Sequence, residues 1–311
     1  MERGVSLKKI QLGTSPLEVA NIALGCMRIN TLSKKEAGHV IQNSLDLGIN
    51  FFDHADMYAD GEAEKTFADA IGMSPAIREQ IILQSKVGIR KVTFDFSKEH
   101  ILESVEGSLQ RLKTDYLDVL LLHRPDALVE PEEVAEAFTI LKESGKVRHF
   151  GVSNHNPMQI ELLKKYVEQD LIANQLQFSI MHTGMIDTGL NVNMQRDLST
   201  DRDGSILDYS RLHDMTIQAW SPFHFGFFKG IFVDHEQFPE LNKKLQEFAD
   251  KYAVTKSAIA VAWILRHPAQ MQTLVGTMNQ ERLQGIAKAS HIELTRVEWY
   301  EIYQAAGNEL P

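Results

Sequence analysis

Apolar positions follow two rhythms along this chain. Short runs rich in β-branched residues appear at "VANIALG" (19–25), "INFFD" (49–53), "IILQSK" (81–86), "YLDVLLLH" (116–123), "VRHFGVS" (147–153), "LIANQ" (171–175), "MTIQAW" (215–220) and "MQTLVG" (271–276). Their near-continuous apolarity suits strands buried on both faces, as in a parallel sheet. Between them the spacing becomes helical. Ser33 and Glu36 form a capping box ahead of a stripe of Ala37, Val40, Ile41, Ser44 and Leu45, and Gly48 stops it. Ser97 caps the stripe Ile101, Val105, Leu109 and Leu112. Pro131 opens the helix of Val134, Phe138 and Leu141, and Asn156-Pro157 is a cap with a first-turn proline. Eight strands alternating with helices predict an α/β chain folded as a (β/α)8 TIM barrel, one domain over 1–311. A doubly wound sheet is the rival, but it wants a glycine-rich phosphate loop after its first strand, and "LGCMRIN" has one glycine. "KKIQLGTSPLEV" reads as a β-hairpin closing the barrel bottom.

Composition narrows the classes of partner. With 311 residues and 43% hydrophobic content the chain can bury one large core. A net charge of −10 disfavours nucleic acid and anionic membranes as partners. The single cysteine, Cys26, permits no internal disulfide and fits a reducing cytoplasm. "MERGVSLKKIQLG" has no apolar run of signal-peptide length, and "SAIAVAWILRHP" is too short to span a bilayer.

In such barrels the site lies at the C-terminal ends of the strands. Those ends read Gly25-Cys26-Met27, Asp53, Lys86, His123, Ser153-Asn154, Gln175, Trp220-Ser221 and Gly276-Thr277, with Tyr58 five residues beyond Asp53. Five consecutive apolar runs finish on a polar or charged residue. A phenol is a poor acid at neutral pH, with an ordinary pKa of about 10. The Lys86 ammonium nearby is expected to lower it, Asp53 to hold the lysine, and His123 to donate to an oxygen gaining negative charge. That is half of a carbonyl reduction. The other half is a hydride, which no side chain supplies, so a cofactor is implied.

These segments, in this order, resemble the aldo-keto reductases, barrel oxidoreductases that use NADPH. "FFDHADMYADGE", "LQSKVG" and "YLDVLLLHRPD" are similar to the segments that carry that family's catalytic aspartate, tyrosine, lysine and histidine. The resemblance implies Asp53, Tyr58, Lys86 and His123 as the tetrad. "GKVRHFGVSNHN", "NQLQFS" and "QAWSPF" imply Ser153, Asn154, Gln175 and Trp220 at the nicotinamide, with Ser221 and Phe223 near the pyrophosphate. "VGTMNQERL" implies Gly276, Thr277 and Arg282 at the adenosine end, with Gly25, Cys26, Met27 and Asp53 also facing the cofactor. The cofactor expected is NADPH, with NADH bound less tightly, and the partner a small carbonyl compound. His54, His155, Met278 and Gly285-Ile286 depart from the family's usual residues, which bears on substrate and cofactor choice.

Each residue also has a plain structural reading. Asp53 and Lys86 fit a buried ion pair, His123 a satisfied core histidine, Tyr58 a surface aromatic and Trp220 packing. His54 and His155 fit substrate lining or loop hydrogen bonding equally, His224 fits pocket wall, and Arg124 fits a loop salt bridge. Two other functions stay open. One is a metal-dependent barrel hydrolase liganded by Asp53, His54, Asp56 and His123, although the first strand end offers no histidine pair. The other is a non-catalytic, NADPH-binding regulatory subunit. The polar stretch 182–205 reads as a functional loop or a floppy insertion.

Overall fold

The computed structural model describes residues 7–311. The first six residues, where the 1–311 domain and the signal-peptide reading begin, lie outside the described residues. A hairpin opens the described chain: β1 (Lys9–Gln11) pairs antiparallel with β2 (Glu18–Ala20). Eight parallel strands follow as a closed barrel: β3 (Ile22–Gly25), β4 (Phe51–Asp53), β5 (Ile82–Val87), β6 (Leu117–Leu122), β7 (Val147–Ser153), β8 (Leu171–Gln177), β9 (Thr216–Trp220) and β12 (Gln272–Val275). β10 (His224–Phe225) and β11 (Gly230–Ile231) form a small hairpin beyond the end of β9.

All eight runs lie on barrel strands, with one correction. The stretch 19–25 is two strands, because the chain turns at Asn21 and passes from hairpin to barrel wall. Asn21 Oδ1 accepts from Ser290 Oγ at 2.8 Å, and its backbone carbonyl accepts from Thr273 N at 2.9 Å. Apolarity alone could not mark this break, since both halves are buried.

The helical patterns stand as read. Ser33 and Glu36 form the capping box of the helix Lys34–Asp46, and Gly48 follows it at φ 87°. Asn156 and Gln159 form another at Pro157–Lys164, and Ser97 caps Lys98–Leu112. Each cap contributes about 1 kcal/mol. "SAIAVAWIL" forms most of the helix Lys256–Leu265, whose residues 258–264 are all buried.

Two cores result. A large one lies between the strands and the outer helices. A smaller one fills the bottom of the barrel, where Leu12 and Val19 of the hairpin meet Phe51, Val119, Leu121, Ala173 and Leu274. The hairpin therefore closes that end. Its loop depends on Gly13, at φ 56°, because a Cβ there would sit 2.2 Å from the Ile172 carbonyl oxygen. Segment 182–205 is held against the C-terminal helix Arg296–Ala305. It carries the short helix Gly184–Leu190, and the Tyr303 hydroxyl donates to Asp187 Oδ1 at 2.7 Å. Among the described residues no helix is long and apolar enough to cross a membrane.

Candidate active site

The plugged bottom leaves the other rim open. There β4 ends on Asp53, and the chain turns tightly to Tyr58. The turn is tied to β5 by His54 N–H to the Gln84 carbonyl (2.8 Å) and Asp56 N–H to the Lys86 carbonyl (3.0 Å). Directly after Tyr58, Ala59, Asp60 and Gly61 all have positive φ (51°, 53° and 89°). For Ala59 this costs roughly 1–2 kcal/mol. A Cβ on Gly61 would lie 2.6 Å from Arg111 Cδ, and Arg111 is itself held by Glu64 at 2.8 Å. Asn154 (φ 60°) and Ser221 (φ 53°), at the ends of β7 and β9, are also left-handed. Such strain collects where side chains must be aimed.

Lys86 is the centre of the arrangement. Its ammonium is completely buried and donates to Asp53 Oδ2 at 2.8 Å, to the His54 carbonyl at 2.7 Å and to the Tyr58 hydroxyl at 3.2 Å. Burial opposes its charge, but Asp53 and Tyr58 more than offset this, and its pKa is raised. Tyr58 is half-buried. Burial pushes its phenol up, the Lys86 ammonium pulls it down and Asp53 pushes it up again, with a net upward result. This corrects the expectation of a lowered tyrosine: Tyr58 is protonated at neutral pH, and Lys86 moderates the shift without reversing it.

His123 stands at the edge of the Tyr58 ring, with centroids 5.9 Å apart and planes at 81°. Burial, with Lys86 and Arg124, holds it well below the usual histidine range, so it is neutral. Its Nδ1 is buried without a partner among the described residues. The rim thus combines a protonated phenol, a fixed buried cation and a neutral imidazole.

The other expected residues line the same rim. Ser153 Oγ donates to the Gln175 carbonyl at 2.9 Å. Asn154 Nδ2 donates to Ser153 Oγ at 2.7 Å, and Asn154 Oδ1 accepts from Trp220 Nε1 at 3.1 Å. Gln175 Nε2 donates inward to Asp53 Oδ1 at 3.0 Å and Gln218 Oε1 at 3.3 Å. Trp220 is half-exposed and stacks near Phe228, 6.0 Å away. Ser221 and Phe223 lead into β10, where His224 is half-buried against Phe228. Gly25 ends β3, and Met27 is exposed just beyond it. Gly276 accepts Arg28 Nη2 at 2.9 Å. Thr277 caps Asn279 N–H at 3.3 Å, and the exposed Arg282 lies in the first turn of the helix Gln280–Ala287.

Three side chains read as cofactor or substrate contacts do not face the rim, and for His155 the alternative reading of a loop hydrogen bond holds. Cys26 is buried in the core, and burial with Asp53 pushes its thiol well up. His54 is fully buried, its ring edge-on to Phe67 at 4.7 Å, with neither nitrogen partnered among the described residues. It cannot line a substrate. His155 is buried as well, bonded to the Ser153 carbonyl at 2.9 Å and stacked on Phe96. The four supposed metal ligands do not converge, since Asp53 is held by Lys86 and glutamine amides while His54 turns to Phe67. Arg124 makes no ion pair among the described residues and lies over the Trp220 ring at 5.7 Å.

Burial pushes the His54 pKa down to about 3, with Lys86 adding to the effect. Its folded value is below its unfolded one, so below about pH 6.5 the unfolded chain binds a proton that the folded chain refuses. This stability contribution is lost as pH falls from about 6.5 towards 3, at about 1.4 kcal/mol per unit. His54→Leu is expected to flatten the fall in urea-unfolding free energy between pH 7 and pH 5. An unchanged slope would show that His54 ionises freely in the folded state.

Sequence reading missed Gln84 and Gln218, although a signal existed. They lie two residues before Lys86 and Trp220, hence on the same inward face, inside runs that are otherwise apolar.

A closed eight-stranded barrel with these side chains gathered at its C-terminal rim places the chain among the (β/α)8 barrels. The chain belongs to the Aldo/keto reductase family, whose family model matches residues 21–306, and is an oxidoreductase of that family. It is 35% identical over 98% of its length to all of the oxidoreductase YcsN of Bacillus subtilis (strain 168). It is 33% identical over 93% of its length to 95% of a 6-dehydroglucose reductase of Agrobacterium fabrum. An aldo/keto reductase from Klebsiella pneumoniae, solved in complex with NADP and acetate, has the same fold, with a TM-score of 0.76, 24% identity and 96% and 95% of the two chains covered.

Proposed function

We propose that this chain works as one barrel unit that reduces an aldehyde or ketone to an alcohol, with Tyr58 as proton donor and a reduced nicotinamide, NADPH in preference to NADH, as cofactor. The observation that carries this reading is the buried Lys86 ammonium bridging Asp53 and the phenol of Tyr58. A plain ion pair needs no phenol in its coordination. The cofactor supplies the hydride. The protein's own groups do the rest: the substrate oxygen lies between Tyr58 and His123, and Tyr58 passes its proton to that oxygen as charge builds on it. Lys86 then stabilises the tyrosinate, and neutral His123 donates a hydrogen bond.

The residues present fit the cofactor. Gln175 spends its N–H donors on Asp53 and Gln218, which leaves Oε1 to accept from a carboxamide. Ser153 and Asn154 flank it, and half-exposed Trp220 offers a face to the ring. Ser221 and Phe223, with the backbone of Gly25, Cys26 and Met27, border the middle of the cleft. Gly276, Thr277 and Arg282 lie at its far end. Relatives include a 6-dehydroglucose reductase, which supports a small polar aldehyde as substrate. Steady-state oxidation of NADPH with aldehydes, sugar aldehydes, ketones and quinones tests the reading. No turnover with any of them would overturn it.

Arg282 is exposed, and no ion pair ties it down among the described residues. Its planar, permanently charged fork suits the 2′-phosphate of NADPH. Met278 adds no charge, so only one such contact is expected, worth about 1.5–3 kcal/mol or roughly ten- to a hundredfold. Arg282→Ala is therefore expected to raise the Kd for NADPH by that factor and leave NADH nearly unchanged. Equal wild-type affinities would remove Arg282 from this role.

A further inference from the structure

Beneath the rim the barrel lumen holds a layer of glutamine amides. Gln84, Gln218 and Gln272 are completely buried, and Gln175 nearly so. Gln84 Nε2 donates to Asp53 Oδ1 at 2.6 Å and to Gln218 Oε1 at 2.9 Å. Gln218 Nε2 returns a bond to Gln84 Oε1 at 3.1 Å and donates to Gln272 Oε1 at 2.9 Å. Gln272 Nε2 donates to the Ala20 carbonyl at 2.9 Å. Gln218 also accepts from Gln175, so its amide uses two donors and two acceptors. Carboxylate and carbonyl at the two ends accept only, which fixes which way each amide faces.

Such a layer is not needed to fill space. Buried amides are tolerated only when fully bonded, and apolar side chains would pack the lumen without that condition. What this layer does is direct two N–H groups at one oxygen of Asp53, leaving the other oxygen for Lys86. We propose that Gln84, braced across the lumen by Gln218, is a positioning residue for carbonyl reduction: it fixes the Asp53 carboxylate so that Lys86 stays charged and aimed at Tyr58. This rests on the reading of Tyr58 as proton donor given above.

The titratable groups near enough to act electrostatically with the Lys86 ammonium are Asp53 and His54 at the end of β4, Tyr58 in the turn that follows, His123 after β6 and Cys26 after β3. His54 and His123 are held neutral and Cys26 is held as the thiol, so Asp53 is the one anion among them. An Asp53 free to rotate would hold the ammonium less well. Lys86 would then lose its proton at lower pH, and turnover would fall earlier on the alkaline side.

The test uses the full-length enzyme with Gln84→Met and Gln218→Met, NADPH and the best aldehyde of the panel. For Gln84→Met, kcat is expected to drop roughly ten- to a hundredfold, the worth of a hydrogen bond to a charged group. Both KM values should stay within about threefold, and the alkaline limb of kcat should move down by about one pH unit. Gln218→Met should move the limb the same way by less, because Gln84 loses only its brace. A melting curve and NADPH quenching of tryptophan emission check folding. If Gln84→Met fails to fold, Gln218→Met decides by the same limb. An unmoved limb in the folded variants, whatever their kcat, would reduce the layer to packing and overturn the inference alone. A wild type that oxidises no NADPH would overturn the functional reading, and this inference with it.

Discussion

Tyr58→Phe is expected to lose roughly 10²–10⁴-fold in kcat while binding NADPH as before, because it removes the proposed general acid together with only the hydrogen bond that its hydroxyl accepts from Lys86. The ring contacts survive the change: its edge contact with His123 and the Lys86 ammonium 5.0 Å from its centroid both belong to the ring. Binding can be read separately through tryptophan emission. Trp220 borders the site, whereas Trp263 and Trp299 stack on each other at 4.6 Å in helices behind the barrel wall and should respond little. The upward shift keeps the Tyr58 phenol protonated at neutral pH, so its proton is present for transfer. Full turnover by Tyr58→Phe would move the acid to another residue.

Lys86→Met should be the most damaging single change to the rim. It leaves Asp53 buried with amide donors but no cation, and breaking a buried pair in this way costs about 3–5 kcal/mol. Turnover should fall at least as far as in Tyr58→Phe, because the phenol loses the cation that stabilises its conjugate base. The double change Lys86→Met with Asp53→Leu separates the two roles. Removing both charges should recover much of the stability in urea unfolding and none of the turnover. Recovery of both would mean that the pair is structural and that the chemistry lies elsewhere.

The sequence by itself determined the strands, the helices between them and the barrel rim at which the candidate site residues gather. Period and capping are local properties. Ser33 with Glu36, Asn156 with Pro157 and eight apolar runs each report on their own few residues, and the barrel follows from their order. The candidate tetrad was legible for the same reason: Asp53, Lys86 and His123 end successive runs, and closure of a parallel barrel brings all strand ends to one rim. Tertiary structure decided what depends on direction and on distant partners. The run 19–25 breaks at Asn21 because that residue bonds to elements some 250 to 270 residues away. His54 turns to Phe67 because the tight turn leaves its ring on the core side, which the identity of the residue does not reveal. The upward shift of Tyr58 is a balance between burial and one ammonium, and burial exists only once the loops are in place. Gln84 and Gln218, 134 positions apart, meet only because the barrel closes. Inward orientation can be read from alternation along each strand, but the bond across the lumen depends on the register of every strand between them.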